Sequence, residues 1–446
     1  MTTLSILAVK LKGRRQIHYG EFDSMIRNIG CRLGVLALIL GSSGAQAAGL
    51  WLYEQGTPDV GTAAAGMAAR ADDAATAFAN PAGMTRLKGS QAMVGIQPIY
   101  GDMEFDVDAA TFGGGDGGNA VGWVPSGGLF YVHELNNDLK LGLSAGSYLG
   151  LGIDFDDDWA GRYYATKNEL ITVFTKFSVG YRVNNWLSVG AGAGVLYGEL
   201  DYEAALNNVL DARPDGSIKY DDSDTAFDYN FGLLIEPRAD TRIGLTYNSE
   251  DDLEFDDDNK FNGAGPLLNA ALNLSGLQGS STRLDFTLPR QAMLSVHHDV
   301  NNDLAIMANL GWQNWSEFGE TGVSLGGPNA TRLDVDANFS DTWHYALGAR
   351  YRLDSMWSVS AGFAYDSSPV SNSDRTVAMP LDRQYRIGAG VQYQLRKDLS
   401  LGAAYEYMDA GDAPVNQTGG LLRGDFSGDL DKADFHFFAL NANWIF

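Results

Sequence analysis

The chain has a single cysteine, Cys31, among its 446 residues, so no disulfide can form within it. After residue 48 the sequence contains no run that approaches the ~20 consecutive apolar residues required by a membrane-spanning helix. Basic residues are also scarce: 31 Lys and Arg stand against 56 Asp and Glu, a formal net charge of -25. Because binding to a phosphate backbone is driven by Lys and Arg, this balance excludes nucleic acid as an expected partner.

The first residues of the chain carry the features of an export signal. From Met25 onward a basic start is followed by an apolar run and by a small-residue cleavage pattern that ends at Ala47. This order is typical of a secretory signal peptide. We therefore predict an upstream extension at residues 1–24, a signal peptide at residues 25–47 and a mature start at Ala48.

Alternation with a period of two residues dominates the rest of the sequence. Successive residues of a strand point to opposite faces. The apolar face of the last predicted strand consists of Leu440, Ala442, Trp444 and Phe446. The same pattern recurs over residues 343–351, 357–365 and 385–395, with aromatic residues near the ends of the apolar faces. One such strand also fits a soluble β-sandwich, but the repetition and the aromatic ends are typical of a transmembrane barrel.

Short polar connections alternate with long ones along this part of the chain. The short ones are 134–138, 183–185, 237–240, 300–302, 353–356 and 396–398. With one strand before and one after these hairpins, residues 89–446 are predicted to form an all-β, transmembrane, antiparallel β-barrel of about 14 strands. An exported chain of this kind belongs in the outer membrane of a Gram-negative bacterium. Many of the 54 glycines fall at inward positions, where small side chains would leave a lumen.

Residues 48–88 precede the first predicted strand and are rich in alanine and glycine. They include Asn80, Pro81, Ala82 and Gly83, a turn signal. Such a segment is either a periplasmic linker or a plug inside the lumen. The composition favours the plug, and we predict a hatch over residues 48–88.

Four stretches of the sequence carry a resemblance: residues 48–50, 71–83, 159–163 and 178–192. In them the chain resembles the FadL-like outer-membrane transporters of long-chain fatty acids, a family that includes toluene and xylene uptake proteins. The resemblance implies a barrel closed by an N-terminal hatch and passive transport of hydrophobic compounds, above all long-chain fatty acids. It also implies capture in a groove between extracellular loops, a pocket beside the start of the hatch, and lateral exit where the third strand is kinked.

The resemblance also implies which residues bind ligand. The predicted contacts are Leu50, Trp51 and Phe78 on the hatch, and Trp159 and Tyr163 in what is predicted to be the third extracellular loop. Asn80 and Pro81, with Ala82 and Gly83, would hold the hatch bend that couples ligand to opening. By order, the third strand begins at Leu139, and Gly142, Gly146 and Gly150 would permit a lateral gap in it. Alternatively, these glycines only line the lumen.

A carboxylate head group would require a cation near the lumen. By strand parity, Lys176, Arg350 and Arg386 point inward and are the candidate carboxylate partners. Alternatively, these cations pair with carboxylates of the protein.

Other functions are weighed against fatty-acid transport. An uptake channel for alkanes or monoaromatic hydrocarbons would also use apolar pockets, and a general porin or surface adhesin would lack a hydrophobic ligand. The pair His297–His298 has no accompanying Ser and Asp in a catalytic arrangement, so we predict no enzyme, no cofactor and no metal site.

The acidic stretches 154–158 and 250–258 are interpreted as solvated loops, with divalent-cation binding as the alternative. Expected partners are a hydrophobic ligand, outer-membrane lipid and lipopolysaccharide, and the barrel-assembly machinery through Phe446; a monomer is expected.

Overall fold

The computed structural model describes residues 51–325 and 331–446. The predicted leader, residues 1–24 and 25–47, lies outside the described residues, as does Leu50 with the two residues before it.

The described chain is built mainly of antiparallel strands, several of which are interrupted once along their length. The strands are β1 (Gln91–Ile96), β2 (Ile99–Ala110), β3 (Gly122–Val124), β4 (Gly127–Glu134), β5 (Leu139–Gly146), β6 (Gly150–Asp154), β7 (Lys167–Asn184), β8 (Leu187–Leu206), β9 (Gly216–Arg238), β10 (Thr241–Asn248), β11 (Asp251–Asp258), β12 (Lys260–Asn262), β13 (Ser281–Leu288), β14 (Gln291–Asp299), β15 (Leu304–Gln313), β16 (Glu320–Leu325), β17 (Thr331–Asp336), β18 (Thr342–Arg352), β19 (Trp357–Asp366), β20 (Gln384–Arg396), β21 (Leu399–Asp409), β22 (Val415–Thr418) and β23 (Asp425–Ile445).

Within the described residues these segments make a closed barrel of 14 wall strands, each hydrogen-bonded to its neighbours in chain order. β23 pairs with β1 from Ile445 opposite Gln91 to Leu440 opposite Ile96, which closes the sheet. The six predicted short connections each join two paired strands at one end of the barrel. The predicted fold class is confirmed.

The outer face of the wall carries the apolar side of each alternating strand. On β18, Leu347 is 67% exposed whereas its neighbour Ala346 is 3% exposed. On β23, Leu440 is 56% exposed and Ala439 is 2% exposed. An apolar surface repeated around a closed barrel is the face that contacts lipid, so the assignment of outward and inward residues from sequence parity is confirmed.

Residues 51–88 lie inside the barrel and are almost all buried. They form four short helices, Pro58–Thr62, Met67–Arg70, Thr76–Ala79 and Pro81–Arg86. Each of the two 3₁₀-helices begins with proline, which suits the first helical position because its missing N–H would have no partner there. The segment is therefore a hatch in the lumen, and the linker alternative is excluded.

Beyond the wall, the long connections build an extracellular layer. β11, β13, β16 and β17 form a separate four-stranded antiparallel sheet. The helices of this layer are Pro266–Ser275, Trp315–Gly319 and Gly420–Arg423. In the part of the chain that the structure describes, no helix combines the length and the apolar character needed to cross a membrane.

Candidate functional site

Glycines on the inner face of the wall lie in close contact with the backbone of the hatch, and we call these glycine positions the hatch seat. A Cβ atom added to Gly362 would lie 1.9 Å from the carbonyl oxygen of Thr62, and one added to Gly244 would lie 2.0 Å from that of Ala68. Glycine is needed where another backbone approaches so closely. The wall glycines in this position, with a hatch backbone atom within 3.0 Å of the added Cβ, are Gly95, Gly180, Gly190, Gly244, Gly362, Gly388 and Gly390. The small inward residues thus make room for the hatch; the sequence predicted both a lumen and a hatch, but it did not link the glycines to the hatch backbone.

The predicted hatch turn, Asn80–Gly83, is attached to the wall through one amide. Asn80 Nδ2 donates hydrogen bonds to the carbonyl oxygens of Ala68 at 2.7 Å and Leu233 at 2.9 Å. Asn80 Oδ1 accepts a hydrogen bond from the backbone N–H of Ala82 at 3.1 Å. This side chain therefore holds the turn, an earlier hatch helix and β9 together.

Buried ion pairs within the hatch are joined to the wall by a partly exposed one near the short turns. Arg70 lies 2.9 Å from Asp59 and 2.7 Å from Asp73. Asp72 pairs with both Arg70 and the wall residue Arg350. Arg350, a predicted carboxylate partner, is therefore engaged by the hatch. It borders a polar cavity of about 310 Å³ on the periplasmic side.

Arg386, another predicted partner, is surrounded by carboxylates of the protein. Its guanidinium lies 3.4 Å from Asp366 and 3.7 Å from both Glu54 and Glu406. Arg386 Nη2 also donates to the carbonyl oxygen of Trp51 at 3.0 Å. Arg386 and Glu54 are each 1% exposed. This cation positions the first residues of the hatch, and three carboxylates already share its charge.

A small cavity lies where the first hatch residues meet the wall. Its apolar lining is Trp51, Leu52, Tyr53, Met67, Phe78, Ala79, Tyr148 and Met293. Phe78 stacks on Phe174 with 5.0 Å between ring centroids, and Trp51 packs on Tyr148 at 5.1 Å. The structure thus brings two of the predicted ligand contacts, Trp51 and Phe78, to one apolar cavity.

Lys176 is the predicted carboxylate partner that reaches this cavity. Lys176 Nζ lies 2.8 Å from Asp228 Oδ2, and both side chains are 2% exposed. The polar side of the cavity consists of this buried ion pair together with Thr246, Asn248, Ser249 and Gln291. A ligand carboxylate that bound here would share Lys176 with Asp228.

The third wall strand is interrupted beside the same cavity. Residues 147–149 separate β5 from β6, and their backbone pairs with the hatch. The N–H of Leu52 donates to the carbonyl oxygen of Tyr148 at 2.8 Å, and that of Ser147 donates to Gln55 Oε1 at 2.9 Å. The start of the hatch therefore occupies the place of a neighbouring strand.

The interruption leaves a gap in the hydrogen bonding of the wall. The ladder between β4 and β5 ends at Gly128 opposite Gly146. Beyond it, β3 pairs with β2 and β6 pairs with β7, and the described residues show no ladder between β3 and β6. Of the predicted gap glycines, Gly146 and Gly150 flank the interruption. Gly142 lies within β5, where an added Cβ would contact hatch residue Ala77 at 2.9 Å.

Trp159 and Tyr163 lie in the second extracellular connection, between β6 and β7, so their predicted assignment to the third is wrong. Trp159 is 0% exposed, stacks on Phe155 at 3.9 Å between centroids, and donates from Nε1 to the carbonyl oxygen of Ala165. Tyr163 is 5% exposed and its hydroxyl donates to Asp215 at 2.8 Å. Burial and this hydrogen bond raise the pKa of Tyr163 to about 12. Both rings are packed inside the loops.

An exposed apolar patch on two later loops was missed by sequence reasoning. Leu267 and Leu274, 56% and 81% exposed, belong to the helix Pro266–Ser275. Val209 and Leu210, 44% and 51% exposed, belong to the loop between β8 and β9. Asp211 of this loop accepts a hydrogen bond from the backbone N–H of Leu267 at the helix N-terminus. Because Leu267 and Leu274 are seven residues apart, they share one helix face, and this spacing is the signal that could have revealed the patch.

Comparison with known families shows which protein family this chain belongs to. The family model described as "Outer membrane protein transport protein (OMPP1/FadL/TodX)" matches residues 38–446. The chain belongs to this family. Relatives within the OMPP1/FadL/TodX family include a long-chain fatty acid transport protein of Escherichia coli O6:H1, 31% identical over 84% of this chain and 89% of the relative. Outer membrane protein P1 of Haemophilus influenzae is 27% identical over 83% of this chain and 88% of its own length.

Solved structures show the same OMPP1/FadL/TodX fold. A Pseudomonas aeruginosa FadL homologue superposes with a TM-score of 0.82 at 22% identity, covering 90% of this chain and 100% of the homologue. The toluene transporter TodX of Pseudomonas putida superposes with a TM-score of 0.61 at 15% identity, covering 84% of this chain and 94% of TodX. The family assignment places this barrel in the outer membrane, so its apolar outer face contacts lipid, and the relatives of this chain include proteins named as long-chain fatty acid transport proteins.

Proposed function

We propose that this protein carries long-chain fatty acids inward across the outer membrane by passive transport, without catalysing a reaction. The observation that carries the proposal is the cavity lined by Trp51 and Phe78 beside the interruption of the third wall strand, which gives an acyl chain apolar surface next to a gap in the wall. The fatty-acid transport proteins among its relatives support this ligand class.

The energetics of an acyl chain favour such a route over a wet pore. Burial contributes roughly 0.8 kcal/mol for each CH₂ removed from water. A channel filled with water would give the tail no such gain, whereas a succession of apolar sites would. A lateral exit then releases the tail directly into the surrounding membrane lipid. The tail therefore passes the polar lipopolysaccharide leaflet without entering water.

The proposed path uses three places on the molecule. The exposed patch around Leu267 and Leu274 captures the tail, and the cavity at Trp51 and Phe78 holds it. Release occurs through residues 147–149 once the first hatch residues withdraw from them. Because the backbone bonds between hatch and third strand are few, this withdrawal leaves the hatch seat on the wall glycines intact.

The C-terminus and the oligomeric state belong to the same proposal. Phe446 is 67% exposed and its ring lies 5.7 Å from that of Trp444. We propose that this terminal aromatic residue is bound by the barrel-assembly machinery and that the protein functions as a monomer.

Removal of the Lys176 charge tests whether the protein recognises the carboxylate end of the fatty acid. In the double variant Lys176→Met with Asp228→Asn, the dissociation constant for hexadecanoate is expected to rise about 10-fold or more, since a charge-assisted hydrogen bond contributes ~1.5–3 kcal/mol. Binding of hexadecanol should stay within about twofold, as it lacks the charge. Equilibrium titration of the purified protein in detergent measures both constants. Lys219→Met, which removes an exposed cation paired with Glu203, is the control. Unchanged hexadecanoate affinity in the double variant would exclude Lys176 as head-group partner.

Transport itself is tested in a host strain that lacks its own fatty-acid transporter. Cells that express the wild-type chain are expected to take up labelled oleate, and cells with the empty vector are not. Equal uptake by the two at limiting oleate would contradict the proposed function.

A further inference from the structure

Tyr148 connects the interruption of the third wall strand to the extracellular sheet. Its hydroxyl donates to Asp251 Oδ2 at 2.5 Å, and its carbonyl oxygen accepts from the N–H of Leu52 at 2.8 Å. Asp251 is the first residue of β11, which belongs to the four-stranded sheet outside the wall. Tyr148 and Asp251 are 6% and 3% exposed. The interruption is therefore bonded to the hatch through the backbone of Tyr148 and to an extracellular element through its side chain.

Further contacts hold Asp251 in place. Ser249 Oγ donates to Asp251 Oδ1 at 3.4 Å, and the N–H of Ser249 donates to the carbonyl oxygen of Tyr229 on β9 at 2.9 Å. The N–H of Tyr229 in turn donates to Ser249 Oγ at 3.0 Å. On β13 the residue opposite Asp251 is the uncharged Leu288. Because both the wall and the extracellular sheet support it, Asp251 is a fixed anchor for Tyr148.

Neighbouring charges make Asp251 ionise near neutral pH. From β9 the carboxylate of Asp228 disfavours a second negative charge, and Lys176 on β7, 2.8 Å from Asp228, is one cation for two acids. Arg290, beyond β13, pairs with Glu250 at 3.2 Å. Asp251 lies outside the membrane-spanning strands, and burial together with the charge of Asp228 raises the pKa of its carboxyl to about 7.

The bond between Tyr148 and Asp251 is stronger when Asp251 is ionised. A hydrogen bond to a carboxylate is roughly twice as strong as one between neutral groups. This bond lowers the pKa of Asp251, so breaking it would raise that pKa further. The added strength is therefore present at alkaline pH and is lost as the pH falls through about 7.

We propose that Asp251 is a positioning residue for the lateral opening: through Tyr148 it holds residues 147–149 against the first hatch residues, most firmly in its ionised form. The bond from Leu52 and the ring contact of Trp51, 5.1 Å between centroids, both depend on the position of Tyr148. Protonation of Asp251 loosens Tyr148 and favours withdrawal of the hatch start. This inference rests on the proposed lateral release and adds a residue of the extracellular layer that controls it.

Thiol labelling of a buried hatch position measures this opening without a ligand. Leu52→Cys places a thiol on a residue that is 2% exposed and bonded to Tyr148, so a maleimide reacts there once the hatch start withdraws. The labelling rate at position 52 is compared between this protein and the same protein with Asp251→Asn, in detergent at pH 6 and pH 9. Intrinsic thiol reactivity cancels in the ratio. Asp251→Asn should label about 5- to 10-fold faster at pH 9 and within about twofold at pH 6.

Two further variants in the Leu52→Cys protein serve as controls. Asp252→Asn neutralises the exposed carboxylate next along β11 and should leave the labelling rate unchanged at both pH values. Tyr148→Phe deletes only the hydroxyl, so its rate relative to the unmodified background should be about fivefold larger at pH 9 than at pH 6. Should Asp251→Asn not fold, this second ratio decides.

Equal labelling with and without Asp251→Asn at pH 9 overturns the inference. A ratio that is the same at pH 6 and pH 9 also overturns it, because a role in packing alone would not depend on pH. The same holds for Tyr148→Phe if its ratio does not change with pH. Oleate uptake by cells decides the transport proposal separately, since the labelling needs no ligand.

Discussion

Gly362→Val is expected to yield a barrel that inserts in the membrane with its hatch displaced. The glycine lies on β19 under the hatch helix Pro58–Thr62, and even a Cβ there would lie 1.9 Å from a backbone oxygen. Backbone atoms cannot move aside as a flexible side chain can, so the hatch and the new side chain exclude each other. Planar-bilayer recording should show a rise of at least about 10-fold in ion conductance relative to wild type, and limited proteolysis should cleave within residues 51–88.

Gly150→Val is the matched control for this effect. Gly150 is also a wall glycine, but a Cβ added there meets its neighbours at 3.6–3.8 Å, an ordinary contact distance. The control should keep the low conductance of wild type. If Gly362→Val also stays closed and resists protease, the hatch does not depend on the glycine seat and the packing described here is wrong.

Phe78→Ala is expected to weaken hexadecanoate binding by about 10- to 100-fold. Phe78 lines the cavity beside the interrupted third strand and stacks on Phe174, so truncation removes apolar surface from the ligand contact and enlarges the cavity. Burial of a phenylalanine side chain contributes ~1.5–3 kcal/mol, and each 1.4 kcal/mol corresponds to about a tenfold change in affinity. Fluorescence titration of the purified protein measures the change.

Phe363→Ala removes a ring of the same size from the lipid face, where it is 46% exposed. This control should leave the hexadecanoate affinity unchanged and show whether loss of an aromatic residue by itself affects the barrel. Equal affinity of Phe78→Ala and Phe363→Ala would place the fatty-acid site elsewhere in the molecule.

The wall could be predicted from sequence because the information for it is local. Alternation of period two decides which residues face lipid, and short polar connections locate the hairpins, as at Glu134 before β5. Neither feature depends on contacts between distant residues. The prediction of a hatch used composition and a turn signal, which are local as well.

The arrangement inside the barrel depends on contacts across hundreds of residues. Strand parity shows that Arg350 and Arg386 point inward, but it cannot show that Asp72 and Glu54 of the hatch are already paired with them. The same applies to Gly362: its position on the inner face is visible in the sequence, but the backbone that rests on it is not. The roles of Trp51 and Phe78 in ligand binding stay predictions, since the structure establishes only that both line one cavity.

A disulfide between hatch and wall tests the lateral route most directly. A Cβ built at Gly348 lies 2.9 Å from the Cβ of Ala65. Because a disulfide needs ~3.5–4.5 Å between its Cβ atoms, Ala65→Cys with Gly348→Cys forms a bridge once hatch and wall move apart by about 1 Å at this point. The chain has one natural cysteine, Cys31, which lies in the predicted leader. Oleate uptake by cells carrying the double variant should be the same in the oxidised and the reduced state, because only the first hatch residues have to move. Uptake that stops on oxidation and returns on reduction would show that ligand passes along the barrel axis by displacing the whole hatch.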